Sequence, residues 1–325
     1  MRDAGCVIKS PRSDSVFTHH ASRSMSLIDF ILNFAGLLLW LNWRALPFDP
    51  LATAIPATLV GTLRRTEPAR VKRWHFLATL AGLLLLRAWL YWQLGPALNW
   101  TAHLNLFATR LAFKSDSFDL MLLYSVMSFG LMLGVFWLCL LLLSMLGGDN
   151  GENPLPFRLA RAHLGFVNHW ATWLKLLLPL VIGFVLWWLI SWPLTAWGLV
   201  PRPVSALVRL AQSGLVGLST YLAWKYLIVG LLTLHLLHNH IYFGRHPLWA
   251  FVDLAARRLL RPLRILPLRG GKVDLTPVAG IALVFLLAYF AEAGLPPAVR
   301  DAHGRRDARA FEIPGLIDLY ERVSR

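Results

Sequence analysis

Residues 120–146 read LMLLYSVMSFGLMLGVFWLCLLLLSML, 27 positions without one acidic or basic side chain. As a helix rising about 1.5 Å per residue the stretch is about 40 Å long, more than the ~30 Å hydrocarbon core of a bilayer. It reads as a membrane span. Five more stretches of comparable character lie at 25–43, 76–94, 174–192, 215–237 and 275–295. Tryptophan marks their ends, with Trp40, Trp43, Trp74, Trp92, Trp170, Trp173 and Trp192 placed where an amphipathic ring prefers the headgroup level. The first span is the most polar, since it carries Asp29 and Asn33.

The whole chain agrees with its spans. Of 325 residues, 57% are hydrophobic before the 23 glycines are counted, against roughly 45–50% with glycine included in soluble domains. Only 15% are charged, yet the balance is +15, so the basic residues gather in connections and tails. Alternation of basic segments with apolar spans argues against a nucleic-acid partner. The two cysteines, Cys6 in a polar tail and Cys139 inside a span, supply neither a disulfide framework nor a zinc site. The expected class is an all-α membrane protein.

The long connections repeat a pattern. Asp49-Pro50-Leu51, Asn153-Pro154-Leu155 and His246-Pro247-Leu248 each precede about 14 residues of helical periodicity and each lie between an odd span and the next even one. Asp or Asn before Pro is a helix start. The six transmembrane helices therefore read as three helical hairpins, each with an interfacial amphipathic helix: hairpin 1 at 25–95, hairpin 2 at 119–192 and hairpin 3 at 215–295. In the first connection a shallow re-entrant segment competes with an interfacial helix. Residues 1–24 read as a disordered tail, with Met25 an alternative translation start. Residues 296–325 read as a polar C-terminal tail: Pro296-Pro297 ends the sixth span, 300–309 is a mixed-charge linker, and Leu316, Leu319, Tyr320 and Val323 form one face of a short helix. That helix is expected to dock on the interfacial helices or on a partner, with a disordered tail as the alternative.

The third connection carries the most chemistry. From Pro247, apolar Leu248, Phe251, Val252, Ala255, Leu259 and Leu263 fall at helical spacing beside a stripe of Asp253, Arg257, Arg261 and Arg264. The expectation is a helix lying in the headgroup layer, with Arg257, Arg258, Arg261 and Arg264 binding anionic lipid headgroups; a surface helix packed on neighbouring protein is the alternative. It continues into Arg261-Pro262-Leu-Arg264-Ile-Leu-Pro267-Leu-Arg-Gly270-Gly271-Lys-Val-Asp274-Leu-Thr276-Pro277. Gly270-Gly271 permits a tight reversal, Asp274 is placed to cap a helix starting near Thr276, and Pro277 suits its first turn.

This run resembles the signature of the YggT family of integral membrane proteins, a basic Pro-rich stretch, Gly-Gly and then Asp-x-Ser-Pro at the head of a membrane helix, with Thr276 here in place of Ser. The resemblance covers roughly 215–295; the first hairpin shares only the layout and the second only Asn153-Pro154. It implies a role in membrane-complex or cytochrome assembly, envelope organisation or osmotic tolerance, and it implies no catalysis. A third hairpin and a tail depart from the one or two hairpins of family members.

Three intramembrane charges need compensation. Arg87 lies within the second span and Lys225 near the middle of the fifth, each costing roughly 2.5–3.5 kcal/mol at a helix centre. Antiparallel packing brings the end of span six, with Glu292, within reach of Lys225. An ion path and simple snorkelling with one buried pair both fit. His235 and His238 share a helical face and are the candidate metal or haem ligands; His163 and His169 form only a loose pair. The chain contains no Walker loop, Gly-x-Ser-x-Gly elbow or His-Glu-x-x-His.

The sequence thus supports a non-enzymatic membrane scaffold or assembly factor, without a cofactor, whose partners are the lipid bilayer and a membrane protein complex. The alternative is an ion or solute transporter using Arg87, Lys225 and Glu292; a third is haem- or metal-linked redox assembly. The long connections carry 15 Lys and Arg against 14 on the opposite face with both tails counted, a tie; with the tails set aside the count is 15 against 4, which favours a cytoplasmic location for the long connections. The location expected is the bacterial inner membrane, crossed many times.

Overall fold

The computed structural model describes residues 12–45, 73–98, 100–147, 155–241, 247–265, 269–270, 273–295 and 313–324. Ten α-helices stand among them: α1 (Arg12–Ala45), α2 (Arg73–Ala97), α3 (Phe118–Leu146), α4 (Leu155–Leu164), α5 (Thr172–Ala196), α6 (Ala206–Ser219), α7 (Trp224–His240), α8 (Pro247–Leu259), α9 (Thr276–Ala293) and α10 (Leu316–Ser324). Three two-stranded ribbons complete the elements: β1 (Thr101–Asn105) with β2 (Arg110–Lys114), β3 (Arg269–Gly270) with β4 (Val273–Asp274), and β5 (Gly294–Leu295) with β6 (Ile313–Pro314).

Six helical segments among the described residues are long and apolar enough to cross a membrane: Met25–Arg44, Trp74–Ala97, Phe118–Leu146, Thr172–Ala196, Ala206–His240 and Thr276–Ala293. The chain is a multi-pass membrane protein. Apolar side chains such as Phe30, Phe34, Val181, Leu189 and Phe285 are exposed along these helices, as a lipid-facing surface requires.

The fifth span differs from its expected form. It begins at Ala206 and is two helices, α6 and α7, joined by a 3₁₀ turn at Thr220–Ala223. Ser205 caps α6 by accepting from the Val208 amide at 3.2 Å. At the other end Ser219 Oγ and Thr220 Oγ1 donate to the carbonyls three residues back, Val216 at 2.8 Å and Gly217 at 2.7 Å. Hydroxyls bonding their own preceding turn favour the tighter winding. The first helix also differs, because α1 begins at Arg12, inside the segment expected to be a disordered tail.

Packing divides the chain into two units, one of Met1–Leu104 with Ala112–Leu133 and the other of Asn105–Leu111 with Gly134–Arg325. In the first, α1 packs along α2, and Gly36 of α1 lies close against Phe129 of α3 and Leu80 of α2. In the second, α5 packs along α6, α7 along both α8 and α9, and α4 against α8. The tail helix α10 docks within the chain, on α6 and α9, not on α4 or α8. Tyr320 meets the Trp187 ring edge-on at 6.1 Å, and Gln212 Nε2 donates to Ser324 Oγ at 3.1 Å. Backbone contact seals that docking: a Cβ on Gly315 would lie 2.3 Å from the Glu292 carbonyl oxygen, and Gly294, at φ 73°, faces the Ile313 carbonyl just as closely.

Helix α8 buries its apolar face in protein. Phe251, Val252, Ala255, Ala256 and Leu260 are buried against Leu231 and Leu232 of α7 and Phe157 of α4, with Phe251 and Phe157 edge-to-face at 4.9 Å. Most of its apolar face is thus packed on protein, while Leu248 at its start and Arg257 on its polar edge stay exposed.

Candidate functional site

The largest polar assembly in the described residues lies in the first unit, at the crossing of three spans. Each contributes two side chains four positions apart, hence on one helical face: Asp29 and Asn33 from α1, Arg87 and Tyr91 from α2, Tyr124 and Ser128 from α3. Arg87 is 1% exposed. Its Nη2 donates to Asp29 Oδ1, forming an ion pair, and its Nη1 donates to Asn33 Oδ1 at 2.7 Å. Tyr91 Oη donates to Asp29 Oδ1 at 3.2 Å, Ser128 Oγ to Asp29 Oδ2 at 3.2 Å, and Asn33 Nδ2 to Ser128 Oγ at 2.9 Å. The guanidinium carbon sits 5.5 Å from the Tyr91 ring centre and 5.4 Å from that of Tyr124. A carboxylate accepting from both sides and a cation between two aromatic rings neutralise each other where water is scarce. Sequence reading singled out Arg87 and noted Asp29 and Asn33 without joining them. The four-residue spacing of polar pairs in three successive spans was the available signal.

The second assembly joins Lys225 of α7 to Glu292 of α9, Nζ donating to Oε1. The pair is only partly shielded, with side chains 17% and 32% exposed. Arg87 pairs with Asp29 within the first unit and Lys225 with Glu292 within the second, four charges in two pairs.

At the far end of α7, His235 Nδ1 and His238 Nδ1 lie 2.8 and 3.3 Å from the same oxygen, Asp253 Oδ1 of α8. His238 stacks parallel on Trp249 at 5.0 Å, and Asn239 Nδ2 lies 3.4 Å from His235 Nε2. Both imidazoles are thus turned onto a carboxylate that ties α8 to α7. No group of three or more His, Cys, Asp or Glu suited to a metal ion occurs among the described residues. His246 lies outside them.

No family model, no curated protein and no solved structure gives a significant match to the chain. Function therefore rests on the residues themselves.

The basic edge of α8 is divided by the fold. Arg258 Nη1 donates to the Leu146 carbonyl at the last turn of α3, and its guanidinium lies 6.0 Å from the Phe157 ring centre. A cation on the carbonyl end of a helix answers that helix's dipole, so Arg258 spends one of its donors inside the protein. Arg257 and Arg261 remain exposed, while the side chain of Arg264 lies outside the described residues. One further buried cation escaped the sequence reading: Lys175 Nζ donates to Ser144 Oγ at 3.1 Å, and that hydroxyl donates to Asn168 at 3.0 Å.

The signature run is structural where it is described. Arg261 and Pro262 lie in a 3₁₀ turn, Arg261–Ile265, and Gly270 and Asp274 belong to paired strands with Arg269 opposite Asp274. Pro277 enters the first turn of α9 and Thr276 is buried. The residue before α9 is Leu275, which makes no side-chain cap, and the side chain of Asp274 lies outside the described residues. Pro267 and Gly271 lie outside the described residues.

Proposed function

We propose that this chain is a non-enzymatic integral membrane protein of the YggT type, a scaffold or assembly factor of the cell envelope whose second and third hairpins present α4 and α8 as a platform. The carrying observation is the support of α8: its apolar face is buried on α4 and α7, Asp253 ties it to two histidines, and Arg258 anchors it to the end of α3. A short helix held on three sides is a docking element, and Arg257 and Arg261 on its open edge suit anionic headgroups or an acidic partner. Pairing of α1 with α2 and of α7 with α9 supports the hairpin arrangement.

Affinity purification of the full chain in mild detergent tests this reading. A membrane protein partner is expected to co-purify reproducibly, and Arg257→Glu with Arg261→Glu is expected to reduce both its recovery and co-purified anionic lipid several-fold. Recovery that ignores the charge reversal removes the platform from the reading.

Transport is the second reading, favoured by the partial exposure of Lys225 and Glu292. Proteoliposomes holding the purified chain separate the two, since ion or solute flux abolished by Lys225→Gln belongs only to the transporter. Sidedness has its own check. An Arg257→Cys variant is expected to react with a membrane-impermeant maleimide only after the cells are opened; labelling of intact cells would place the platform outside.

A further inference from the structure

Four buried side-chain polar atoms among the described residues have no hydrogen-bond partner: Arg87 Nε, Trp187 Nε1, Arg209 Nε and Tyr320 Oη. Three of them come from α5, α6 and α10, the helices that meet where the tail docks. Two belong to rings in contact, since Trp187 of α5 and Tyr320 of α10 stand edge-on with their centres 6.1 Å apart. These two residues are 3% and 7% exposed.

An indole N–H and a phenol hydroxyl stripped of solvent and left unpaired would oppose docking, because burial of a polar group is unfavourable unless a hydrogen bond replaces the one lost to water. A phenylalanine at 320 would make the same ring contact without that penalty. Other polar groups gather around it. Gln212 of α6, 2% exposed, donates to Ser324 Oγ at 3.1 Å, and Ser324 Oγ donates in turn to the Tyr320 carbonyl at 2.7 Å. The hydroxyls of Thr109 and Ser324 lie beside the phenol. Leu316, one turn earlier on the same face of α10, packs instead on Leu222 and Ala288. The tail thus has an apolar foot at Leu316 and a polar one at Tyr320 and Ser324.

We propose that one buried water molecule joins α10 to α5, accepting from Trp187 Nε1 and bonding to Tyr320 Oη, with Thr109 or Ser324 as its third partner. Three hydrogen bonds are the usual number for an internal water. A water suits the site better than an ion, because both orphaned groups are neutral and a neutral ligand leaves no charge stranded beside them. The bridge gives the docking of the tail its polar specificity. It depends on neither the platform of α4 and α8 nor transport.

Two measurements on the full chain in detergent test it. In the first, a short X-ray pulse generates hydroxyl radicals from water, including bound water, and oxidised side chains are mapped by mass spectrometry. Trp187 and Tyr320 are expected to be oxidised at rates within several-fold of Trp197, which is 51% exposed. The second follows release of the tail by the rate at which N-ethylmaleimide modifies a Leu316→Cys reporter, in a chain whose Cys6 and Cys139 are replaced by alanine. Tyr320→Phe is expected to speed that reaction several-fold. In a Trp187→Phe background the same substitution is expected to change it less than two-fold, since the water has already lost its donor. The proposal is overturned by an unchanged or slower reaction in Tyr320→Phe, by an equal several-fold effect in both backgrounds, or by Trp187 and Tyr320 escaping oxidation while Trp197 is modified. The oxidation measurement needs no substitution, so it decides the matter even where the reporter weakens docking.

Discussion

An Asp29→Leu variant is expected to lose about 3–5 kcal/mol of stability, because it strands the Arg87 guanidinium without its counter-charge in a site where almost none of the side chain is exposed. Arg87→Leu alone strands the carboxylate instead, but Asp29 keeps hydrogen bonds from Tyr91, Asn33 and Ser128 and is less buried, so the loss is expected to be smaller. The double variant Asp29→Leu, Arg87→Leu removes both charges and is expected to recover most of what the first loses. Thermal unfolding in detergent, followed by the folded fraction on size exclusion, measures all three. If the double variant is as unstable as the two single losses added together, the pair is not acting as a pair.

The second large effect concerns the contact between α5 and α6. A Cβ on Gly217 would meet the Leu180 carbonyl oxygen at 2.6 Å and the Phe184 amide nitrogen at 3.1 Å, while one on Gly183 would meet Gly217 Cα at 2.9 Å. These neighbours are backbone and cannot rotate away. Close backbone approach is what small residues provide between membrane helices, where lipid is as apolar as leucine and burial alone does not drive association. Gly217→Ala is expected to cost about 1–3 kcal/mol and Gly217→Val more. Gly214→Ala, with nothing within 4 Å of the added carbon, is the control and is expected to be neutral or mildly stabilising. Equal behaviour of the 214 and 217 variants in the folded-fraction assay would remove the backbone contact as a determinant.

How much of this was legible in the chain follows from the range of each interaction. The spans are local sums of hydropathy, and all six expected stretches overlap helical segments of the structure. The nearness of Glu292 to Lys225 came from antiparallel geometry, which needs only the order of two helices. The Asp29 network needs three helices in fixed rotation, and a hydropathy window averages rotation away. The break at Thr220–Ala223 depends on two hydroxyls choosing their own carbonyls, a choice that composition does not display. For α8 the amphipathic pattern was readable, but periodicity shows that a face is buried without saying in what. Arg258 illustrates the same gap: it lies off the stripe of Arg257 and Arg261, but that its partner is the end of α3 follows only from the packing.

The three-helix polar network also bears on how the chain enters the membrane. The span of α1, Met25–Arg44, emerges first, carrying Asp29 and Asn33 and a mean hydropathy of 1.6, while its counter-charge is still dozens of residues away. Until α2 arrives, a carboxylate about one turn inside the span disfavours lipid, by less than the roughly 2.5–3.5 kcal/mol of a helix centre. The first helix is therefore held by the second, and Tyr124 and Ser128 close the set only when α3 follows. Commitment to the bilayer becomes a property of three segments acting in succession, with the earliest one waiting for the arginine that completes it.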